Sequence, residues 1–242
     1  MKLTKSNLIV GVTPSLITGG GSGALSELTV PDHSLVYTGD NTEPLEFSFG
    51  AVTCGYVAVS GHNVAAGEIT ILDGVTTITT VTTVRTNIIM VTFEPDQVFT
   101  DLRVRLDNDE NEAITVSYIA AGDFIDVPNG GEQGGYARNW LARPFKNKSA
   151  AGKNAAPTAV IRNRAPLKGT LQIANASTVF SRGDWQEFYD YAESSPFFIR
   201  EVDSLPESTV MAFEPKLEAP KAHGATRALD KLSLKFSVYN GL

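Results

Sequence analysis

Few residues of this 242-residue chain are of types that do chemistry, and they do not cluster. The three histidines, His33, His62 and His223, stand in unrelated contexts, and none belongs to a zinc-binding or metalloprotease pattern. Cys54 is the only cysteine, so no intramolecular disulfide can form, and a small buried hydrophobe explains it best. No nucleophile elbow or phosphate-binding loop occurs. The sequence therefore predicts no catalytic residue, no metal site and no cofactor, and favours a non-enzymatic protein.

Charge is distributed in three zones along the chain. Residues 1–132 carry 17 acidic and 5 basic side chains, whereas residues 133–183 carry no acidic side chain and nine basic ones. Residues 184–242 are again acidic, with 10 acidic and 6 basic side chains, and the whole chain has a net charge of −7. The middle zone is the one part of the chain suited to an anionic partner.

We interpret residues 128–157 as a basic, glycine-rich arm or linker, because they hold few strand or helix signals. It is either a solvated linker or an arm that lies on an acidic surface of this chain or of a neighbouring subunit. Nucleic-acid binding is a third interpretation, against which the pI of about 5.0 weighs. The predicted interaction residues are Arg138, Arg143, Lys146, Lys148, Lys153, Arg162 and Arg164.

The chemistry-bearing residues of the first half lie in a predicted β domain over residues 1–127. Alternation of apolar and polar residues, as in Leu102–Leu106 and Ile114–Tyr118, is typical of half-buried antiparallel strands. Val75–Val84 has an apolar period of three, for which we expect one or two strands with a bulge or turn. The predicted strands are Pro44–Phe49, Gly55–Ser60, Glu68–Leu72, Ile88–Phe93, Asp101–Leu106 and Ala113–Ile119.

The ten residues from Gly55 to Val64, GYVAVSGHNV, are the most informative stretch. Both sides of the extended run are small or apolar, which predicts a strand buried on both faces. Gly61, His62 and Asn63 then form a turn. We expect this strand and corner to lie at the centre of a β-sandwich.

Residues 158–242 predict a second β-sandwich domain with one short helix over residues 184–193. Asp184 and Glu187 have the spacing of a capping box, and Trp185 and Phe188 begin an amphipathic pattern. Leu232–Val238 alternates as a strand does. The predicted fold class is therefore mainly all-β, with two β-sandwich domains.

Two of these blocks carry a resemblance to virion structural proteins of tailed bacteriophages. Gly55–Val64 resembles a stretch in their N-terminal jelly-roll (galactose-binding-like) domains. Trp185–Ile199 is similar to a helix-then-strand block of distal-tail, minor-tail and baseplate proteins. The resemblance implies a ring, threefold or sixfold, with copies of the chain and neighbouring tail proteins as partners. It also implies a place in the virion after assembly in the bacterial host cytoplasm.

The leading hypothesis is therefore a structural component of a phage tail tip or baseplate, or a minor tail protein. The alternative is a carbohydrate-binding module or host-receptor adhesin, because jelly-roll sandwiches bind sugars in loops at one end. Exposed aromatic side chains would then form the platform, with Tyr37, Tyr136 and Trp140 as candidates. No signal peptide or membrane-spanning run is predicted.

Overall fold

The structure is a computed structural model that describes residues 1–40, 43–84, 87–109, 112–128, 145–148, 160–163, 167–223 and 229–239. Almost all regular elements are antiparallel β-strands, gathered into four sheets.

Five antiparallel strands form the sheet at the middle of the molecule, here called the central sheet. In spatial order they are β10 (Tyr118–Gly122), β5 (Leu45–Ser60), β8 (Ile88–Asn108), β6 (Ala66–Asp73) and β7 (Thr76–Val84). A short strand, β2 (Ser15–Thr18), pairs with the beginning of β5. The β-branched and aromatic residues that dominate these strands favour a pleated, packed surface.

A three-stranded cap sheet covers one face of the central sheet. It consists of β3 (Gly21–Ser22), β4 (Tyr37–Gly39) and β9 (Thr115–Val116), and a 3-10 turn, η1 (Leu25–Thr29), lies between the first two. Tyr37 of the cap sheet meets Phe47 of the central sheet edge to face, with ring centroids 5.4 Å apart. The two sheets share one apolar core, so the N-terminal part is a β-sandwich.

A six-stranded sheet, here called the terminal sheet, joins both ends of the described chain. In spatial order it contains β11 (Phe124–Asp126), β1 (Lys2–Thr4), β15 (Phe197–Arg200), β16 (Thr209–His223), β17 (Leu229–Val238) and β14 (Leu167–Ser177). Strands from both sides of residue 127 thus share one sheet. The predicted division into domains at that residue stays a prediction.

Two consecutive helices, α1 (Thr178–Arg182) and α2 (Asp184–Ala192), cover one face of the terminal sheet. Phe188 of α2 meets Phe197 of β15 with ring centroids 5.1 Å apart. The predicted helix over residues 184–193 is confirmed as α2. Its predicted cap is wrong, because Gly183 is the N-cap and Asp184 is already helical. The five-residue α1 was not predicted, although Ser177 caps it by accepting a bond from the Phe180 N–H.

The other face of the terminal sheet packs on the second face of the central sheet. A middle cluster fills this boundary, with Phe198 and Met211 from the terminal sheet and Tyr56, Ala58, Ile88, Met90, Tyr118 and Ala120 from the central sheet. The rings of Tyr118 and Phe198 stack across it, 5.9 Å between centroids. The central sheet is therefore an inner layer there, and the predicted strand buried on both faces is confirmed.

Some predicted strands are joined or split in the structure. Pro44–Phe49 and Gly55–Ser60 belong to one strand, β5, because register shifts around Gly50 let the chain continue. Val75–Val84 supplies a single strand, β7. Ala113–Ile119 is instead divided between β9 and β10, which belong to different sheets.

A separate two-stranded ribbon lies within the basic middle zone. It pairs β12 (Phe145–Lys148) with β13 (Val160–Asn163). The predicted fold class, mainly β with an N-terminal β-sandwich and a short C-terminal helix, is confirmed. The C-terminal strands form one sheet between the helices and the central sheet, rather than a sandwich with two sheets of its own.

Candidate functional site

The Gly-His-Asn corner after β5 is a structural joint. Gly61 has a φ of +69°, a conformation that glycine adopts far more readily than other residues. The Asn63 side chain accepts a hydrogen bond from the Thr115 N–H and donates one to the Ala113 carbonyl, each 2.8 Å long. The corner thus ties the end of the central sheet to the chain that enters the cap sheet.

His62 within this corner is a buried, neutral side chain. It is 3% exposed, and neither ring nitrogen has a hydrogen-bond partner among the described residues. Burial lowers the pKa of His62 to about 4. The ring is therefore uncharged at neutral pH, and it offers no accessible edge to a substrate.

Within the part of the chain that the structure describes, His33 and Ser60 form the one contact that suggests nucleophilic chemistry. Nε2 of His33 lies 3.1 Å from Oγ of Ser60. The neighbouring Asp32 does not complete a triad, because its carboxylate accepts bonds from the N–H and hydroxyl of Ser34. Ser60 is fully buried, and burial lowers the pKa of His33 to about 4. The pair packs against Tyr239, whose ring centroid is 3.7 Å from that of His33, so it joins chain segments rather than attacking a substrate.

Cys54 is fully buried in the core of the N-terminal sandwich. Burial raises the pKa of its thiol to about 12. The thiolate needed for a nucleophile or a metal ligand is thus strongly disfavoured, in agreement with a packing role.

Two buried cations lie where the central and terminal sheets meet. Lys2 and Arg200 are register partners, and each is 5% exposed. Nζ of Lys2 is 3.1 Å from Asp126 and also contacts Glu94. Sequence reasoning missed both cations, because nothing in the local sequence shows that a second sheet covers them.

Arg200 links the two sheets directly. Its Nη1 donates to the Thr92 hydroxyl of β8 at 2.8 Å, and its other guanidinium nitrogens donate to carbonyls of Val202 and Asp203. Burial lowers the pKa of Arg200 from its ordinary value, with nearby acids opposing the shift. A buried cation keeps its charge only when such acceptors surround it.

A polar face lies on the central sheet where the terminal sheet does not cover it. Arg103 joins Glu46 at 3.1 Å and Asp101 at 2.6 Å. The Ser48 hydroxyl also donates to Asp101, and this bond, together with Arg103, holds the pKa of that carboxyl below its usual range. These charges are already paired with one another, so they do not form an open ligand site.

The structure places only part of the predicted arm. Lys146 and Lys148 lie on β12 and Arg162 on β13, and the register sets Lys146 opposite Arg162. The other predicted interaction residues, Arg138, Arg143, Lys153 and Arg164, lie outside the described residues.

The predicted glycan platform loses one of its three members. Tyr37 is 5% exposed and packs in the sandwich core, so its ring cannot stack on a sugar. Tyr136 and Trp140 lie outside the described residues. Among the residues that the structure does place, the large exposed hydrophobic side chains are all aliphatic.

Neither a metal centre nor a membrane-crossing helix emerges from the described part of the chain. No group of three or more metal-ligating side chains comes together there. None of the helices described has the length and apolar character needed to cross a bilayer.

Comparisons with known proteins identify no family for the chain. No known protein family and no curated protein matches it. Similar solved structures include chitosan-binding module 1 of a chitosanase/glucanase from Paenibacillus sp. IK-5, with 18% identity and a TM-score of 0.40. That match covers 48% of this chain and 98% of the module.

Two further solved structures have similar scores. The family 32 carbohydrate-binding module of C. perfringens NanJ, solved with galactose, is 15% identical with a TM-score of 0.40, covering 52% of this chain and 100% of the module. A fucose-binding module of Streptococcus pneumoniae is 10% identical with a TM-score of 0.39, covering 48% and 96%. Their ligands are properties of those proteins.

Proposed function

We propose that this chain is a non-enzymatic structural protein that assembles with copies of itself and with neighbouring proteins, as tail and baseplate components of tailed-phage virions do. One observation carries the proposal. The described side chains best suited to chemistry, His33, Ser60, His62 and Cys54, are built into the packing between or within sheets. What remains for function is the surface.

The layered core suits a building block. The middle cluster and Arg200 join the central and terminal sheets, so the two can move little against each other. A ring subunit has to transmit load between its neighbours without deforming, and tightly packed layers do this well. The ring, its threefold or sixfold order and its place in a virion assembled in the bacterial host cytoplasm are parts of this proposal.

The basic ribbon is the proposed contact with an acidic neighbour. A lone two-stranded ribbon is marginally stable, and like charges at opposite register positions weaken it further. The pairing of Lys146 with Arg162 therefore favours a ribbon that gains stability from an acidic partner. Residues 1–132, with 17 acidic and 5 basic side chains, supply such a surface on the next subunit.

Sedimentation of the full chain at low and high salt tests the proposal. We expect assemblies larger than a monomer at low salt, which dissociate as salt screens the charges. The variant K146E/K148E/R162E should lose these salt-sensitive assemblies. The matched control R182E/K216E/K231E reverses three exposed cations outside the ribbon and should assemble as the wild type does.

Two results would contradict assembly through the arm. One is a wild-type chain that stays monomeric at low salt at the highest concentration reached. The other is an equal loss of assembly in the ribbon variant and the control, which would indicate only an effect of net charge.

A carbohydrate-binding role is the second candidate. It is supported by the N-terminal sandwich of a five-stranded and a three-stranded sheet, whose end loops could hold a sugar. This candidate also agrees with the descriptions of the structural neighbours, although TM-scores near 0.40 do not extend that agreement to function. With Tyr37 buried, the platform would depend on Tyr136 and Trp140.

A glycan array separates the two candidates. If sugar binding is the function, the wild type should bind a defined glycan class, W140A should lose binding, and W140F should keep most of it because a ring remains. An array without signal for the wild type would remove this candidate and leave the assembly proposal untouched.

A further inference from the structure

Strand β7 is the outer edge of the central sheet, and no described strand covers its free side. Strand β7 ends the sheet and pairs on one side with β6 alone among the described strands. Thr76, Thr77, Thr80 and Thr82 are exposed. The main-chain groups on the free side of such a strand are available to a further strand.

Proteins normally protect edge strands with charges, proline, bulges or a covering segment. The opposite edge of this sheet, β10, is fully buried along its length. By contrast, the nine residues of β7 include no charged residue and no proline. Its one irregularity in register leaves Ile78 without a partner in β6, and the pairing is regular from Thr79 onwards. The free edge of β7 therefore favours pairing with another strand.

The unusual three-residue period of β7 indicates what pairs with it. A twofold axis perpendicular to a sheet places one residue opposite itself in the partner strand, because directly opposed residues share a face. Around Val81, the sequence reads alike in both directions. Thr80 then lies opposite Thr82, Thr79 opposite Thr83 and Ile78 opposite Val84 of the other copy.

We propose that β7 binds β7 of a second copy, antiparallel and centred on Val81, and so joins two central sheets into one. Centring on Ile78 would match residue types as well, but it would need Val75, which lies in the turn before the strand. The Val81 register uses strand residues only, and its central pairs, Thr79 to Thr83, lie beyond the irregularity at Ile78. This contact goes beyond the assembly proposed above, since it relates two copies by a twofold axis and uses no charged side chain.

Two double variants test the contact and its register. Both change Thr80 and Thr82, whose side chains are exposed, so the fold should tolerate them. T80K/T82K brings two pairs of like charges together across the twofold axis, and should raise the dimer dissociation constant at least about tenfold. T80K/T82E places a lysine opposite a glutamate twice, and should restore dimerisation to the wild-type level or better.

Analytical ultracentrifugation and amide hydrogen exchange give the readouts. The wild-type chain should dimerise with rising concentration, and the β7 amides should gain protection in the dimer. The ribbon variant K146E/K148E/R162E should still dimerise, which separates this contact from the arm. The proposal is overturned if the wild type shows no dimer and fast exchange along β7, or if T80K/T82K dimerises as well as T80K/T82E.

Discussion

The two halves of strand β5 lie in the same sheet but in different surroundings. In the first half, Leu45 and Phe47 point into the sandwich core while Glu46 and Ser48 belong to the polar face with Arg103. In the second half, every residue from Cys54 to Ser60 is buried. The difference is whether the terminal sheet covers the second face.

The burial pattern along a single strand indicates which layers lie on its two faces. Alternation of apolar and polar residues marks a polar second face, whereas small and apolar residues on both faces mark a sheet on each side. Gly55 and Ala58 leave room where another layer approaches, as the close contacts that a Cβ at Gly55 would make with Asp96 and Phe124 indicate. Arg103 lies beside the first half of β5, and Arg200 lies beside the second half, here called the inner half. Only the buried Arg200 needs hydrogen-bond acceptors on every side.

The largest effect on the free energy of unfolding should come from a substitution in the inner half of β5. Tyr56→Ala removes a fully buried ring from the middle cluster and should lower the free energy of unfolding by about 3–5 kcal/mol. Tyr56→Phe is the control, because it keeps the ring and loses only the hydrogen bonds of the hydroxyl, among them the one to the Ser6 carbonyl, each worth about 1 kcal/mol. Urea unfolding measures both, and equal losses would refute the packing argument.

The second-largest effect on stability should come from Arg200, the buried cation between the two sheets. Arg200→Met removes the donor to Thr92 and to the carbonyls of Val202 and Asp203, so the free energy of unfolding should fall by about 1–3 kcal/mol. The same denaturation experiment checks it. An unchanged urea midpoint would mean that Arg200 does not couple the sheets.

As pH falls, stability should be lost first through the histidines near the inner half of β5 and only later through the carboxyls of the polar face. His33 and His62 have pKa values of about 4 in the folded chain, below the ordinary 6.5, because His62 is buried and His33 is partly buried. The unfolded chain therefore takes up protons first, and stability that is complete above pH 6.5 is lost as pH falls towards 4. Urea midpoints at pH 7 and 5 test this, and His62→Leu should flatten the slope. A slope that survives in both His62→Leu and His33→Phe would exclude these groups as its source.

The carboxyls near the polar face should respond only at lower pH. Hydrogen bonds from the Asp101 N–H and from Thr100 hold the pKa of Asp73 below its usual range.

The smallest effect should come from the polar face itself. Arg105→Met removes a partly exposed partner of Asp107, 3.5 Å away, and should change stability by less than about 1 kcal/mol. A loss as large as that of Arg200→Met would show that the two faces differ less than their burial indicates. High salt should reduce even this small effect.

Local pattern was enough to predict the strand with two buried faces, the Gly-His-Asn corner and helix α2. Each depends on residues close in sequence, such as the small and apolar run from Gly55 to Ser60 or the Trp185 and Phe188 spacing. The partners of these elements could not be predicted, because pairing depends on residues far apart. Nothing near Leu3 indicates that Ile199 lies opposite it.

The candidate sites were less predictable than the fold. Tyr37 is chemically suited to a sugar platform, and only the packing against Phe47 shows that it is unavailable. Arg103 and Arg200 are indistinguishable as residue types, yet one lies on the polar face and the other between two sheets. Burial of a polar residue is decided by the layer above it, and the local sequence does not encode that layer.

The position of β1 also affects the order in which paired strands can form during translation. A ribosome makes Lys2–Thr4 before the whole central sheet, while their partner β15 emerges only after that sheet. The other neighbour, β11, is available earlier, but until Phe197–Arg200 arrive Leu3 lacks half of its final surroundings. The nascent chain must therefore keep β1 from pairing elsewhere, and a chaperone that holds this strand would have its greatest effect in this interval.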